Sequence, residues 1–312
     1  MPSSSDRLFF SVLVVLGLFA GCGSDTGAEP LGDASTLPDA QASDGAPDGS
    51  IRDASPMDAD TGPVGSAGCV DGDGIPEGQN MFMSDGRTRN YFLYLPKGYD
   101  RSRPWPLLFA LHGNGGTAAY WNQTTGERNV RGEVEDDAIL VVAEAIEGNW
   151  RDYGAPSTTW PARIEQELNY FDAIVDRAKK DLCIDENAIF SMGFSGGGSF
   201  SGVLACRRPY IRAFAAGGSV IYFDPKDCVH APPAWITIGK KELIPTREEF
   251  RDYFRDAAGC TATAASTPPD PCVAYQGCDD GKSVHYCEHP DGHIWPSFGT
   301  SAMWDFLGSQ IE

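Results

Sequence analysis

The stretch Ile189-Phe-Ser-Met-Gly-Phe-Ser195-Gly-Gly-Gly198 decides how the rest of the chain is read. Ile189-Phe190 ends an apolar, strand-like run, and Ser199 to Cys206 is compatible with a helix. Between them, Gly193-Phe194-Ser195-Gly196-Gly197 fits the pattern Gly-x-Ser-x-Gly. A serine on a sharp strand-to-helix turn sits in a strained backbone conformation, and neighbours without side chains let the chain close around it. Such a turn lifts the hydroxyl off the sheet and aims the N-terminus of the next helix at any oxyanion formed there. A glycine-rich connection carrying a passive serine has the same local sequence, so the groups further along the chain decide between the two.

Outward from this turn, strand patterns alternate with helical ones. Met81-Phe-Met and Tyr91-Phe-Leu-Tyr-Leu flank Ser84-Asp-Gly-Arg, a hairpin signal. Buried-strand runs follow at Leu107–Leu111, Ile139–Ala143, Ala188–Met192, Ala213–Ala216, Trp235–Ile238 and Val284–Tyr286. Apolar residues recur at helical spacing in Glu165–Lys180, Thr246–Ala258 and Ser301–Ile311. A hairpin followed by repeated strand–helix units predicts an α/β fold with a mostly parallel sheet covered on both faces.

The N-terminus reads as an export signal. Arg7 supplies a basic start, Leu8–Ala20 is apolar except for Ser11 and Gly17, and Leu18-Phe-Ala-Gly-Cys22 resembles a bacterial lipobox. The expectation is a lipoprotein-type signal over residues 1–21 with Cys22 lipidated, simple secretion remaining open because Phe19 stands where leucine is usual. Residues 22–67 are built from Asp, Ala, Ser, Gly and Pro, with few large apolar side chains, and are expected to form a disordered acidic linker. Nine acids against one base between residues 23 and 67 give −8 of the net −20, so the remaining domain, 68–312, is only moderately acidic. Binding to nucleic acid is therefore disfavoured. Apart from Cys22 the chain has eight cysteines, at 69, 183, 206, 228, 260, 272, 278 and 287. An even number in an exported protein predicts up to four disulfides, the cluster 260–287 stapling an excursion between the last two strands.

A serine needs a base to take its proton, a carboxylate to orient that base, and donors for the oxyanion. In α/β-hydrolases these follow in the order Ser, acid, His. Among His112, His230, His285, His289 and His293, the last lies in Pro290-Asp-Gly-His-Ile-Trp-Pro296, a turn-rich loop past the final strand, where the base belongs. His289 is the rival, with Pro290 restricting its backbone. His285, inside the strand, and His112 read as structural. Glu242, in Gly239-Lys-Lys-Glu-Leu-Ile-Pro245, is the first carboxylate after the penultimate strand; Asp224 and Asp227, after the preceding strand, are the alternatives. For the oxyanion, the Gly196 N–H is one donor, and His112-Gly-Asn-Gly-Gly116 offers a second loop, with Asn114 as its donor. Trp121, Trp150, Trp160 and Trp295 are candidates for an aromatic acyl or sugar pocket. Asp71-Gly-Asp73-Gly74-Ile-Pro-Glu77 echoes the start of a calcium loop, but the remaining ligand positions are missing. A tight acidic turn is expected there, and neither a metal nor a cofactor.

Cys183-Ile-Asp-Glu-Asn-Ala-Ile-Phe-Ser-Met-Gly-Phe-Ser195-Gly-Gly-Gly, Ala205-Cys206 and Ala274-Tyr-Gln-Gly-Cys278 resemble secreted feruloyl esterases. That carbohydrate-esterase family is shared with poly(3-hydroxybutyrate) depolymerases. Gly68-Cys69, with Pro76 and Gly78 soon after, looks like the family's mature start, so the resemblance covers 68–312. It implies an α/β-hydrolase fold and hydrolysis of carboxylic esters, such as feruloyl groups on plant xylan, through an acyl-enzyme. Matched by position, Ser195 falls on the nucleophile and His293 on the base, and Gly-Lys-Lys-Glu242 stands where the family has Gly-x-x-Asp. Two departures are visible: Glu replaces Asp at 242, where the longer side chain needs a shifted backbone, and Glu167 stands where an Asp usually precedes Phe-Asp. The combined expectation is a monomeric serine esterase, secreted or tethered to the membrane only through its N-terminal lipid. Its substrate would be a feruloylated polysaccharide or a polyester. The alternatives are a poly(3-hydroxybutyrate) depolymerase, an acetylxylan esterase and, from another class, a non-catalytic surface polysaccharide-binding lipoprotein.

Overall fold

The computed structural model describes residues 64–152 and 160–311. The expected signal, Cys22 and nearly all of the expected linker lie outside these residues. Among these residues, ten strands run β1 (Gly78–Ser84), β2 (Arg87–Tyr94), β3 (Trp105–Leu111), β4 (Ile139–Ala143), β5 (Ile184–Phe194), β6 (Ala213–Gly217), β7 (Ala234–Gly239), β8 (Ala264–Ser266), β9 (Cys272–Tyr275) and β10 (Val284–His289). The helices are α1 (Gly68–Asp71), α2 (Val130–Glu133), α3 (Trp160–Asp181), α4 (Gly196–Arg207), α5 (Pro245–Ala257) and α6 (Gly299–Gly308).

Among the described residues the strands form one sheet in the order β1-β2-β4-β3-β5-β6-β7-β10-β9-β8. Neighbours from β4 to β10 pair in parallel, and both margins are antiparallel. The mostly parallel α/β-hydrolase sheet expected from the sequence is what forms. Every residue of β3 and β4 is buried, as a strand covered on both faces requires. Successive side chains point to opposite faces: Leu107, Phe109 and Leu111 join one apolar cluster, with Phe171 of α3 and Phe200 of α4, while Leu108 and Ala110 join another, with Met303 and Phe306 of α6. The Asp85-Gly86 turn closes the β1–β2 hairpin with both residues at positive φ, the backbone a two-residue turn between twisted strands demands.

Two features depart from the sequence reading. The excursion before β10 adds β8 and β9 to the sheet edge, and the disulfides Cys260–Cys278 and Cys272–Cys287 staple it to β10 and to the end of α5. Short, exposed β8 has no periodicity by which it could be recognised. At the other end, Val64–Ser66 sit on the linker side of the expected boundary yet are hydrogen bonded into the fold. The Ser66 N–H donates to the Ile184 carbonyl (3.0 Å), and the Glu186 N–H donates to the Val64 carbonyl (2.9 Å). Backbone pairing needs no large side chain, so composition misses it. The disulfides Cys69–Cys183 and Cys206–Cys228 complete the set of four.

Candidate active site

Ser195 stands between β5 and α4 with φ 56° and ψ −122°. A non-glycine residue in that region costs roughly 1–3 kcal/mol and persists only where its surroundings enforce it. Here the enforcement is a hydrogen bond from the Ser195 N–H to the Gly217 carbonyl (2.7 Å) and one from the Ser199 N–H to the Ser195 carbonyl (2.9 Å). The two motif glycines are required by close approach: a β-carbon on Gly193 would strike the backbone of Gly197, and one on Gly197 would strike the carbonyls of Leu111 and His112. The elbow is thereby pressed against the loop that leaves β3.

His293 reaches Ser195 from the loop after β10, with Nε2 2.8 Å from Oγ. Its Nδ1 meets Glu242 Oε2 in a short hydrogen bond. Glu242 closes a single helical turn after β7, and its Oε1 accepts from the Gly239 N–H (3.2 Å). That turn folds the glutamate side chain back over the strand end. Burial pushes the Glu242 carboxyl up, but the His293 hydrogen bond, the Gly239 N–H and the charges of His293 and Arg247 outweigh it and hold the group below the ordinary carboxylate range. Asp224 and Asp227 are not brought to the histidine. Asp224 is exposed and pairs with Lys226, and Asp227 lies 4.0 Å from Arg207. His289, the rival base, is buried in β10, and burial lowers its pKa, which keeps it neutral. His285 packs on Phe306, and the His230 N–H is tied to the Cys206 carbonyl.

Arg247, in the first turn of α5, was not singled out in the sequence. Its Nη1 lies 2.7 Å from Glu242 Oε2 and donates to the Glu242 carbonyl (2.9 Å), Nε donates to the Gly218 carbonyl (3.2 Å), and Nη2 is 3.2 Å from His293 Nδ1. The signal was faint: a basic residue at the start of a helix, where the dipole disfavours it.

The opposite wall is the 113–116 loop. Gly113 lies against the Ser195 side chain, and the Asn114 side chain lies against Gly196, its Nδ2 donating to the Tyr222 hydroxyl (2.7 Å). The Gly115 N–H donates to the Gly148 carbonyl (2.8 Å), which ties this loop to 144–149. That second loop rests on buried charge: Glu167 Oε1 accepts from the Ile146 N–H, Arg163 donates to the carbonyls of Ile146 and Asn149, and Arg89 donates to that of Glu144. Arg89 and Arg163 pair with Glu167 at 2.6 and 3.3 Å, and Glu167 is 0% exposed. The departure noted at 167 is therefore the centre of an ion cluster.

His112 is structural. Burial lowers its pKa, consistent with a neutral ring that donates from Nδ1 to the Gly113 carbonyl and accepts at Nε2 from the Ala145 N–H. The tryptophans correct the sequence reading. Trp121, Trp150 and Trp295 are buried, with their indole N–H groups donating to the Leu111 carbonyl, the His112 carbonyl and Thr300 Oγ1. They support the site from beneath, whereas Trp160 lines a cavity. An alternating apolar pattern does not distinguish a core indole from a subsite one.

No family model matches the chain. Among curated proteins it is similar to feruloyl esterase D of Neurospora crassa, with 29% identity over 256 residues, covering 73% of this chain and 82% of that protein. It is also similar to a protein of Aspergillus terreus named "Probable feruloyl esterase C", with 33% identity over 239 residues, 70% of this chain and 83% of the relative. Among solved structures, a ferulic acid esterase from Anaeromyces mucronatus in complex with ferulic acid superposes with a TM-score of 0.53 at 13% identity, covering 74% of this chain and 89% of that one. An S-formylglutathione hydrolase from Staphylococcus aureus superposes with a TM-score of 0.52 at 12% identity, covering 75% and 98%. At those identities the superpositions speak for the α/β-hydrolase fold alone.

Proposed function

Since the chain belongs to the feruloyl esterase family, we propose that it hydrolyses feruloyl esters of plant cell-wall polysaccharide, with Ser195, His293 and Glu242 carrying the reaction. The observation that supports this most directly is the continuous relay from Ser195 Oγ through both nitrogens of His293 to Glu242, on a serine held at positive φ. His293 Nε2 takes the hydroxyl proton as Oγ attacks the ester carbonyl. Glu242, kept ionised, fixes the ring tautomer with its proton on Nδ1 and stabilises the imidazolium. The oxyanion then lies before the N–H of Gly196, the first residue of α4, and that of Asn114. Collapse expels the alcohol, which receives the proton from Nε2 and leaves Ser195 acylated. Water deprotonated by the same nitrogen releases the acid. This chemistry calls for neither metal nor cofactor.

Four disulfides fit an oxidising, extracytoplasmic compartment. Cys22 is proposed as a lipidation site that would tether the enzyme to the cell surface. Ser195→Ala, expected to lower kcat on methyl ferulate by on the order of 10⁶-fold in a protein that still folds, tests the assignment together with a fluorophosphonate probe. Retained turnover, or labelling of the variant at another residue, would remove Ser195 from the reaction. Faster hydrolysis of poly(3-hydroxybutyrate) or acetylated xylan than of methyl ferulate would redirect the substrate.

A further inference from the structure

The segment 217–222, which begins at the last residue of β6, touches each part of the proposed catalytic group in turn. The Gly217 carbonyl accepts from the Ser195 N–H (2.7 Å). Gly218 stands at φ 58°, where a β-carbon would strike the His293 ring and crowd Glu242 Oε1, and its carbonyl accepts from Arg247 Nε (3.2 Å). The Val220 N–H donates to Ser199 Oγ near the start of α4 (2.9 Å). The segment ends on Tyr222, whose hydroxyl meets the Asn114 amide (2.7 Å). We propose that Tyr222 is a positioning residue for ester hydrolysis: its hydroxyl sets the 113–116 loop against Gly196, so that the N–H groups of Gly196 and Asn114 converge on the oxyanion. The inference rests on the reading of Ser195 as nucleophile and adds to it the group that registers the oxyanion loop on the elbow.

The loop needs such a hold. Asn114 carries the one side chain beyond a hydrogen in Gly113-Asn-Gly-Gly116, so it is the loop's only handle for packing, and glycine neighbours leave the backbone around it free to adopt many conformations. The Gly115 N–H bond to the Gly148 carbonyl fixes the far end of the loop but does not place Asn114 relative to Ser195. The Asn114 amide lies against Gly196, where a β-carbon would come within 2.3 Å of it. Its Oδ1 is buried with no hydrogen-bond partner among the described residues, so the bond to Tyr222 anchors the amide. A phenol both donates and accepts, and either orientation of the amide keeps that bond.

An anchor serves only if it is itself fixed. Tyr222 is 5% exposed, and the Arg151 guanidinium lies 4.3 Å over its ring and 3.7 Å over that of Trp160. Beyond it, Cys228 is joined by a disulfide to Cys206 in the last turn of α4. The stretch 217–228 is thereby fastened at both ends to the elbow and its helix, by the Ser195 N–H at one end and the disulfide at the other. Tyr222 shares the frame of the nucleophile, and its hydroxyl carries that frame across to the oxyanion loop. Donors that act by being in place beforehand depend on such a link.

The test is a double-mutant cycle on p-nitrophenyl acetate, with kcat, KM and the unfolding midpoint read for each variant. Tyr222→Phe keeps the ring and removes the hydroxyl. Its kcat should fall on the order of 10-fold, within the ~10²-fold that a 1 Å misplacement costs, while KM and the midpoint stay nearly unchanged. Asn114→Ala keeps the backbone N–H, removes the amide, and should lose kcat on a similar scale. The double variant should be no slower than the slower single one, because both substitutions break the same bond. Losses that multiply would overturn the proposal, as would a rise in KM alone, or a lowered midpoint with kcat preserved. Labelling of Ser195 by a fluorophosphonate in the unmodified enzyme is read separately. Its absence would overturn the nucleophile reading and this inference with it, whereas a labelled enzyme with an additive cycle would overturn the inference alone.

Discussion

On the histidine side of the proposed active site, His293 is 38% exposed on a loop and is held by an arginine from α5. On the oxyanion side, the 113–116 loop is tied to 144–149, and that segment rests on Glu167, Arg89 and Arg163, of which the carboxylate is 0% exposed. The contrast follows from what each side does. An acid–base pair has to exchange protons with substrate and water during every cycle, so it must remain accessible. Oxyanion donors act by being in place beforehand, at no cost of reorganisation when charge develops. Rigidity is thus concentrated where nothing has to change, and adjustable electrostatics where a proton moves.

The harshest way to break this contrast is Glu167→Ala. Two buried guanidiniums would lose their counter-charge, and unfolding free energy should fall by about 3–5 kcal/mol, measured by denaturant titration. An unchanged unfolding midpoint would mean that the cluster braces nothing. Arg247→Met probes the other side and should act on chemistry more than on folding. We expect kcat on p-nitrophenyl acetate to drop on the order of 10²-fold, the cost of misplacing a catalytic group by about 1 Å, with KM and the melting temperature nearly unchanged. Arg247→Lys should restore part of the loss, because its ammonium still faces Glu242. If Arg247→Met instead unfolds the domain, the arginine belongs to the architecture and the two sides are alike. The smallest effect sharpens the comparison through pH. Because the Glu242 carboxyl is held below its usual range, the stability it contributes is present above the pKa of a free carboxylate, about 4.3, and is lost as pH falls through the lower folded value. Glu242→Gln should therefore melt below the unmodified protein at pH 7 by roughly 2–4 °C, equivalent to ~1 kcal/mol in a domain of this size. The gap should close towards pH 3. A gap independent of pH would show that the charge on Glu242 does not contribute.

What could be read from the sequence follows the distance over which each signal acts. The elbow is local, and Gly193, Ser195 and Gly197 announce it within five residues. Glu242 and His293 follow from chain order, because parallel strands deliver their C-terminal loops to one edge, and the structure places both at the end of the sheet where Ser195 stands. Arg247 was invisible because, beyond nearby Glu242, its partners are the Gly218 carbonyl and the His293 ring, from loops 29 and 46 residues away. Glu167 was noticed only as a departure; its pairing with Arg89, 78 residues earlier, is a property of the packed sheet. Trp121, Trp150 and Trp295 were misread for the same reason, since an indole in a core and one in a cleft have the same neighbours in sequence.

The Cys69–Cys183 disulfide, with the backbone pairing of Val64–Ser66 to the start of β5, has a mechanical consequence. A pull on the chain at Val64 meets the base of the strand whose far end carries Ser195. The load must first shear the few hydrogen bonds of residues 64–66, and it then arrives at a covalent link that short-circuits β1 to β4. Under tension, as at a surface where substrate is dragged by flow, the sheet would not unzip from its N-terminal hairpin. Reducing that one bond would turn a clamped domain into one that peels from its edge, a difference readable as unfolding force in a single-molecule stretching experiment.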